Sequence, residues 1–320
     1  MDPAKQQRLA KRLEGIHHIT AITGDAPRNV EFYAGTLGLR MVKKSVNQDD
    51  PTIYHLFYAD EDGDAGSDIT FFEYPGAARG RAGAGMVHRI VWRVGTPDAL
   101  DFWQDRLGAL GTSVERSPDA VRFADPEGLE LEFRVVETAD PPLIADHPEV
   151  PREFALQGFD GARAFTSSAE ASRGFLLDGM GFAATPQGYE VRGEQRGSWW
   201  AYDETATRGV QGAGTVHHIA WASTMDDHLA WRERVAAAGA QPTPVIDRFW
   251  FRSIYFREPS GVLFEIATLG PGFGADEDMA TLGESLSLPP DYEHLRDQLA
   301  ERLTPLPDVA AWRRERAGRT

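Results

Sequence analysis

The chain has 320 residues, 42% hydrophobic and 26% charged, the composition of a soluble globular protein with one large domain or two of ordinary size. A formal net charge of −16 leaves nothing to offset nucleic-acid phosphates and excludes a nucleic-acid partner. The absence of cysteine removes disulfides, thiolate ligands and cysteine nucleophiles, so His and carboxylates are the remaining candidate ligands. No apolar run is long enough to span a bilayer, and Ala4–Leu13 is charged and helical in character rather than a signal segment, so a cytoplasmic location is expected.

In chain order, a lead over residues 1–14 precedes a strand at Gly15–Ile22. Asp25 opens a helix over Asn29–Leu37 that Gly38 stops, and three strand-like runs follow at Arg40–Lys44, Ile53–Tyr58 and Asp68–Tyr74. The order β-α-β-β-β then repeats. Met86–Val94, a helix from Thr96 to Leu107, and runs at Ser113–Arg116, Ala120–Ala124 and Leu129–Val135 make the second copy, which ends at residue 137. Residues 138–157, rich in proline and acid, read as a linker. A weaker third copy places a strand at Phe159–Thr166, a helix near Ala169–Met180 and strands at Tyr189–Arg192 and Gly197–Tyr202. The fourth has a strand at Thr215–Ala222, a helix at Asp226–Ala237 and runs at Pro244–Asp247, Trp250–Phe256 and Val262–Ala267, ending at residue 268. A tail over 269–320 carries a further helix at Asp291–Leu303 and a basic end.

Internal matches support the repeat. Asp125-Pro126-Glu127-Gly128 followed by Glu132 aligns with Glu258-Pro259-Ser260-Gly261 followed by Glu265, and Met86-Val-His88-Arg89 aligns with Thr215-Val-His217-His218. The Pro259/Gly261 turn between two apolar runs reads as a β-hairpin. It leaves Glu265 in an apolar strand, where a carboxylate must be paired, hydrogen-bonded or metal-bound. Either Arg248 or Arg252 could satisfy it. So could the histidine pairs His17-His18 and His217-His218, each in a strand-type run, because two His and one carboxylate form the facial triad that holds non-haem Fe(II).

Four such modules resemble the vicinal oxygen chelate superfamily, an α+β fold in which βαβββ modules pair into cupped barrels. GIHHIT, TVHHIAW and the tail GFGADEDMATLGESLSLPPDYEHLR resemble its ring-cleaving extradiol dioxygenases of the hydroquinone 1,2-dioxygenase branch. The resemblance implies His18, His218 and Glu265 as metal ligands. The second and third copies place Arg89 and Gly161 where a ligand would stand, so modules 1 and 4 must share the metal cup and modules 2 and 3 must pair with each other. Strand alternation puts His18 and Thr20 on one face and His17 on the other, with His218 and Ala220 sharing a face. His17 and His217 suit packing positions by themselves; the resemblance places both near the metal, where either would be a local proton carrier. The resemblance further implies that Tyr255 donates to a substrate oxygen. Arg248 stands where the catechol-cleaving relatives carry an acid–base histidine; it cannot exchange protons near neutral pH but can hold an oxyanion. Glu73 is a minor candidate for a fourth ligand, and Glu132 reads as structural or exposed. His55 lines the pocket or packs in the core, while His147, His228 and His294 are expected in solvent. Trp199 and Trp200 are expected in the core or an interface.

The implied activity is insertion of O2 into a hydroquinone-type aromatic, halogenated or alkylated, by Fe(II), with Mn(II) or Zn(II) as possible occupants after purification. A small aromatic substrate and O2 are the implied partners, with a homo-oligomer open. Two rivals share the fold: a glyoxalase-type metal-dependent lyase or isomerase, which would need a fourth protein ligand, and a metal-free small-molecule binding protein.

Overall fold

The computed structural model describes residues 11–311 and Arg314. Most of the expected helical lead and of the basic end therefore lies outside the described residues. Sixteen strands fall into four βαβββ units. The first is β1 (Ile16–Thr23), α1 (Ala26–Val30), β2 (Arg40–Asn47), β3 (Asp50–Ala59) and β4 (Asp68–Glu73). The second is β5 (Met86–Val94), α2 (Pro97–Ala109), β6 (Glu115–Arg116), β7 (Ala120–Ala124) and β8 (Glu130–Val135). The third is β9 (Phe159–Thr166), α3 (Glu170–Gly174), β10 (Ala183–Thr185), β11 (Gly188–Arg192) and β12 (Gly197–Glu204). The fourth is β13 (Val216–Ser223), α4 (His228–Ala237), β14 (Ile246–Asp247), β15 (Phe251–Arg257) and β16 (Leu263–Pro271).

Units 1 and 4 form one curled eight-stranded sheet, β14-β15-β16-β13-β1-β4-β3-β2, and units 3 and 2 the other, β10-β11-β12-β9-β5-β8-β7-β6. This is the pairing that the distribution of ligand-type residues demanded. One continuous apolar cluster joins the two sheets; Trp200 of the second meets Trp221 and Phe264 of the first at ring-centroid distances of 5.8 and 5.2 Å. A second, smaller cluster, including Val42, Phe57, Ala220, Trp250 and Phe251, fills the inside of the first cup.

Local chemistry explains the boundaries. Asp25 accepts from the Arg28 amide and Pro27 sits in the first turn, so α1 begins before Asn29. From Glu31 to Thr36 it widens into a π-helical turn, and α3 does the same over Phe175–Gly179. The third unit gains the short β10 that its sequence pattern lacked. The two matched Pro/Gly turns share a device: Asp125 accepts from the Glu127 and Leu129 amides, Glu258 accepts from those of Ser260 and Val262, and Gly128 and Gly261 take φ of 98° and 94°. The expected tail helix is shorter, a 3-10 turn at Pro290–Leu295 leading into α5 (Arg296–Arg302).

The tail closes one end of the first cup. Lys43, fully buried, reaches the Phe273 carbonyl at 3.1 Å, Asp276 at 2.9 Å and Glu277, and lies 5.1 Å from the Trp250 ring centroid. The Ser287 amide donates to the Lys44 carbonyl at 2.8 Å, covering the edge of β2. Two histidines expected in solvent are buried. His228 sits 3.1 Å from Ser223 Oγ beneath β13, and His147 packs beneath Gly38. Among the described residues no helix is long and apolar enough to cross a membrane.

The second cup holds an ion cluster where the first holds its candidate ligands. Glu132, aligned with Glu265 and fully buried, meets Arg122 at 2.7 Å, Arg134 at 2.5 Å and Arg89 at 3.5 Å. Removing its charge leaves Arg122 and Arg134 without their carboxylate, while Arg89 keeps Glu130 at 2.9 Å. Arg122 is 46% exposed, so the cost falls below the ~3–5 kcal/mol of a wholly buried pair. Glu132→Ala is expected to lower unfolding free energy by about 1–3 kcal/mol in denaturant titrations and to leave metal content unchanged. A loss of bound metal equal to that in Glu265→Ala would refute this division of labour.

Candidate metal centre

The centre grows from the seam where β1 and β13 run antiparallel. Thr20 lies opposite His218 and His18 opposite Ala220. β16 runs parallel to β13 with Glu265 beside Ala220, and β15 places Tyr255 opposite Glu265. One row across the sheet thus reads His18, Ala220, Glu265, Tyr255. Strands are spaced ~4.8 Å apart, so His18 and Glu265 flank Ala220 at about twice that distance in the backbone and lean together above its methyl group.

The ligand atoms converge. His18 Nε2 is 3.3 Å from His218 Nε2 and 3.2 Å from Glu265 Oε2, and His218 Nε2 is 2.9 Å from the same oxygen. All three side chains are buried, and among the described residues they are the group of ligand-type side chains whose donor atoms fall within 4.8 Å of one another. Glu265 Oε1 accepts from Ser253 Oγ at 2.5 Å, while Oε2 has no hydrogen-bond donor of ordinary geometry. An orphaned carboxylate oxygen facing two imidazole nitrogens is the donor set a divalent cation satisfies, so the residues present fit a metal. Burial alone would raise the Glu265 carboxyl, yet the nearness of His18 and His218, which favours the carboxylate, holds it well below the usual carboxylate range. For His18 burial is outweighed by Glu265 and the pKa rises; for His218 burial prevails and it falls.

The strand pairing contains two bulges, one at His17, between Ile16 and His18, and one at His217, between Val216 and His218. They break the strict alternation expected for His17. Its ring turns to the same side as His18, and both lie against Phe251, at centroid distances of 5.3 and 5.2 Å. His17 Nδ1 is 2.9 Å from His18 Nδ1, and His17 Nε2 is 3.1 Å from the Thr268 carbonyl. His217 repeats the arrangement, with Nδ1 2.8 Å from His218 Nδ1. These contacts assign the tautomers that a metal requires. His17 donates from Nε2 to Thr268, leaving Nδ1 to accept from His18 Nδ1–H, which leaves the His18 Nε2 lone pair for the metal. Burial, then the neighbouring ligand histidine, pushes His17 down to about 3 and His217 to about 4. Both are neutral near pH 7, so each has a ring nitrogen free to accept from the ligand histidine beside it.

Thr20 Oγ1 lies 2.9 Å from His218 Nε2 and 2.7 Å from Thr70 Oγ1. Tyr255 and Arg248 face the small cavity above the ligands, with the guanidinium 5.6 Å from the Tyr255 ring centroid. Burial and the Glu265 charge raise the Tyr255 phenol, which keeps its proton. Arg248 also makes two hydrogen bonds to Asp49, at 3.0 and 2.8 Å, at the outer side of the cavity. Glu73 lies on the other face of β4, where it accepts from the Ala26 amide at 3.3 Å, and is not part of the ligand set. Ser253, Asp49 and Thr70 were missed from sequence. Ser253 was within reach of an alternation argument, two residues before Tyr255; the other two are recognisable only from contacts across the fold.

A cup built from paired βαβββ units and holding two histidines and a glutamate at its seam defines a metal-binding protein of the glyoxalase-like class. The chain belongs to the Glyoxalase/Bleomycin resistance protein/Dioxygenase superfamily, whose model matches residues 15–133 and 158–266. It is 42% identical to the Bacillus subtilis (strain 168) protein named as ring-cleaving dioxygenase MhqO, over 93% of this chain and 98% of that one. It is 31% identical to the chlorohydroquinone/hydroquinone 1,2-dioxygenase of Sphingobium indicum, over 91% and 96%. A crystal structure described as a dioxygenase from B. subtilis superimposes with a TM-score of 0.86 at 40% identity, covering 93% of this chain and 99% of that one. Relatives of this kind, together with the buried triad, fit a metal-dependent dioxygenase acting on a small aromatic molecule.

Two measurements test the centre. Ala220→Leu places a larger side chain where His18 and Glu265 meet, and is expected to reduce bound metal at least tenfold by elemental analysis while circular dichroism stays unchanged; full metal occupancy would show that the ligands do not close over Ala220. Asp68, beside His18 on β4, is fully buried with neither carboxylate oxygen hydrogen-bonded, and burial pushes it up to about 8. Between roughly pH 4, its unfolded value, and about 8 the folded protein keeps a proton that the unfolded chain has released. Stability therefore falls as pH rises through that window. In metal-free protein, Asp68→Asn should reduce the decline of the thermal midpoint between pH 5.5 and 8.5; an unchanged decline would place Asp68 ionised in the fold.

Proposed function

We propose that the protein is a non-haem Fe(II)-dependent, extradiol-type dioxygenase that cleaves the ring of a hydroquinone-type aromatic, halogenated or alkylated. The observation that carries this reading is the set of three ligand atoms within 3.3 Å of one another, buried beneath a cavity that Tyr255 and Arg248 also face. His18, His218 and Glu265 would hold the iron on one face. Iron would supply electron transfer between an electron-rich phenolate and O2.

The rest of the work falls to side chains. Tyr255, its phenol protonated, can donate to a substrate oxygen, and Arg248 can stabilise charge developing there. Phe57, Phe72, Trp250 and Phe251 wall the cavity and exclude water. As folded here the cavity is about 30 Å3, the room of one water, whereas an apolar cavity that holds benzene is about 150 Å3. The Arg248–Asp49 pair stands at the outer side of this cavity. Parting this pair on substrate entry would free the guanidinium for the substrate oxygen. The lyase-type rival needs a fourth protein ligand, and the position of Glu73 counts against it.

The test is oxygen uptake by protein reconstituted anaerobically with Fe(II) and given 2-chlorohydroquinone, methylhydroquinone and catechol in parallel. Uptake is expected with the hydroquinones, weak with catechol, and reduced by at least a hundredfold in Glu265→Gln. No uptake with any of the three by iron-loaded protein would overturn the assignment.

A further inference from the structure

A line of hydrogen bonds leads away from the metal centre through residues that the proposed chemistry has not used. Thr20 Oγ1, 2.9 Å from His218 Nε2, is 2.7 Å from Thr70 Oγ1, which is 2.9 Å from His55 Nε2. Thr20 and Thr70 are fully buried. They lie side by side on β1 and β4, and His55 comes from β3, its ring held between Phe57 and Phe72 at centroid distances of 3.9 and 4.4 Å. Burial, with His18, His218 and Arg248 nearby, keeps His55 well below the usual histidine range, so it is a neutral imidazole with one N–H.

Each threonine hydroxyl has a single hydrogen, so the line has a direction. With a metal on His218 Nε2 that nitrogen can no longer accept from Thr20. If the His55 proton is on Nε2, His55 donates to Thr70, Thr70 donates to Thr20, and the Thr20 hydrogen is left to point into the site. If it is on Nδ1, every bond reverses and Thr20 can only accept. A phenolate oxygen offers lone pairs and no hydrogen, so only the first direction serves it.

Resting on the dioxygenase reading above, we propose that His55 and Thr70 are positioning residues: the Nε2–H of His55 polarises the threonine pair so that Thr20 donates a hydrogen bond to the substrate oxyanion. A polarised chain of this kind strengthens its terminal bond, and a bond to a charged acceptor is worth about tenfold or more in affinity. His55 has no claim as a catalytic residue, because it acts through Thr70 and Thr20.

The experiment uses Zn(II)-loaded protein, because a redox-inert metal supplies no electrons to O2 and so prevents turnover. Nitrogen-15 NMR of the imidazoles should place the His55 proton on Nε2. Calorimetric titration with 2-chlorohydroquinone under nitrogen should show binding weakened about tenfold in His55→Leu and Thr70→Val. His55→Gln, which restores an N–H at the same reach, and Thr70→Ser should stay within about threefold of the parent. A proton on Nδ1, or equal weakening in His55→Gln and His55→Leu, would overturn the proposal. Failure of the parent protein to bind any hydroquinone would instead count against the substrate reading, with the NMR tautomer still deciding the direction of the chain.

Discussion

The antiparallel pairing of β1 with β13 is the constraint on which the site depends. Residues 200 positions apart become neighbours only because the first strands of units 1 and 4 share a seam, and His18 and His218 sit on either side of it. The two bulges matter as much as the pairing. Each adds one residue at the first histidine of a pair, so the chain presents two imidazoles in succession on one side of the sheet. The second of each pair faces the site; the first abuts its Nδ1. Without the bulges His17 and His217 would point away, and the tautomers of both candidate ligands would be left to solvent.

The architecture could be read in the sequence because the units share visible landmarks. The acid-Pro-x-Gly turns recur since a carboxylate must cap two amides while a glycine takes a left-handed φ, and that physical demand leaves the same letters in both places. The absence of a ligand-type residue at Arg89 and Gly161 was enough to decide which units share a cup. Less visible were features that depend on partners distant in sequence. Strand alternation misplaced His17 because a bulge changes parity without changing composition. His228 and His147 read as exposed by their surroundings, a helix start and a polar segment, yet tertiary packing covers both. The Arg248–Asp49 pair bridges 199 positions and no local pattern announces it.

The tail shows how a polar cluster can serve closure of the cup. Lys43 is a buried cation on a strand, a costly placement unless compensated. Its partners, Asp276 and Glu277, come from the segment that crosses the end of the cup, so docking of that segment and neutralisation of Lys43 are one event. Trp250 joins through its indole N–H, which donates to Asp276 at 2.8 Å, and the same residue walls the cavity over the ligands. The outer closure and the inner wall of the site are therefore mechanically connected.

The two cups solve the same problem in different ways. Each buries a glutamate at the equivalent position of its last strand, and each must offset that charge. In the second cup arginines surround Glu132 and supply permanent cations with no lone pairs; the cluster is complete and has nothing to offer a metal. In the first, imidazoles surround Glu265. A neutral imidazole whose Nδ1 hydrogen is taken by the histidine before it has a lone pair left on Nε2, and Glu265 keeps an oxygen without a donor. The incompleteness of that second solution is what makes a metal the natural third party. With Arg89 and Gly161 standing where the first cup has its two histidines, and with Arg122 and Arg134 on Glu132, the same strand position makes a structural cup rather than a binding one.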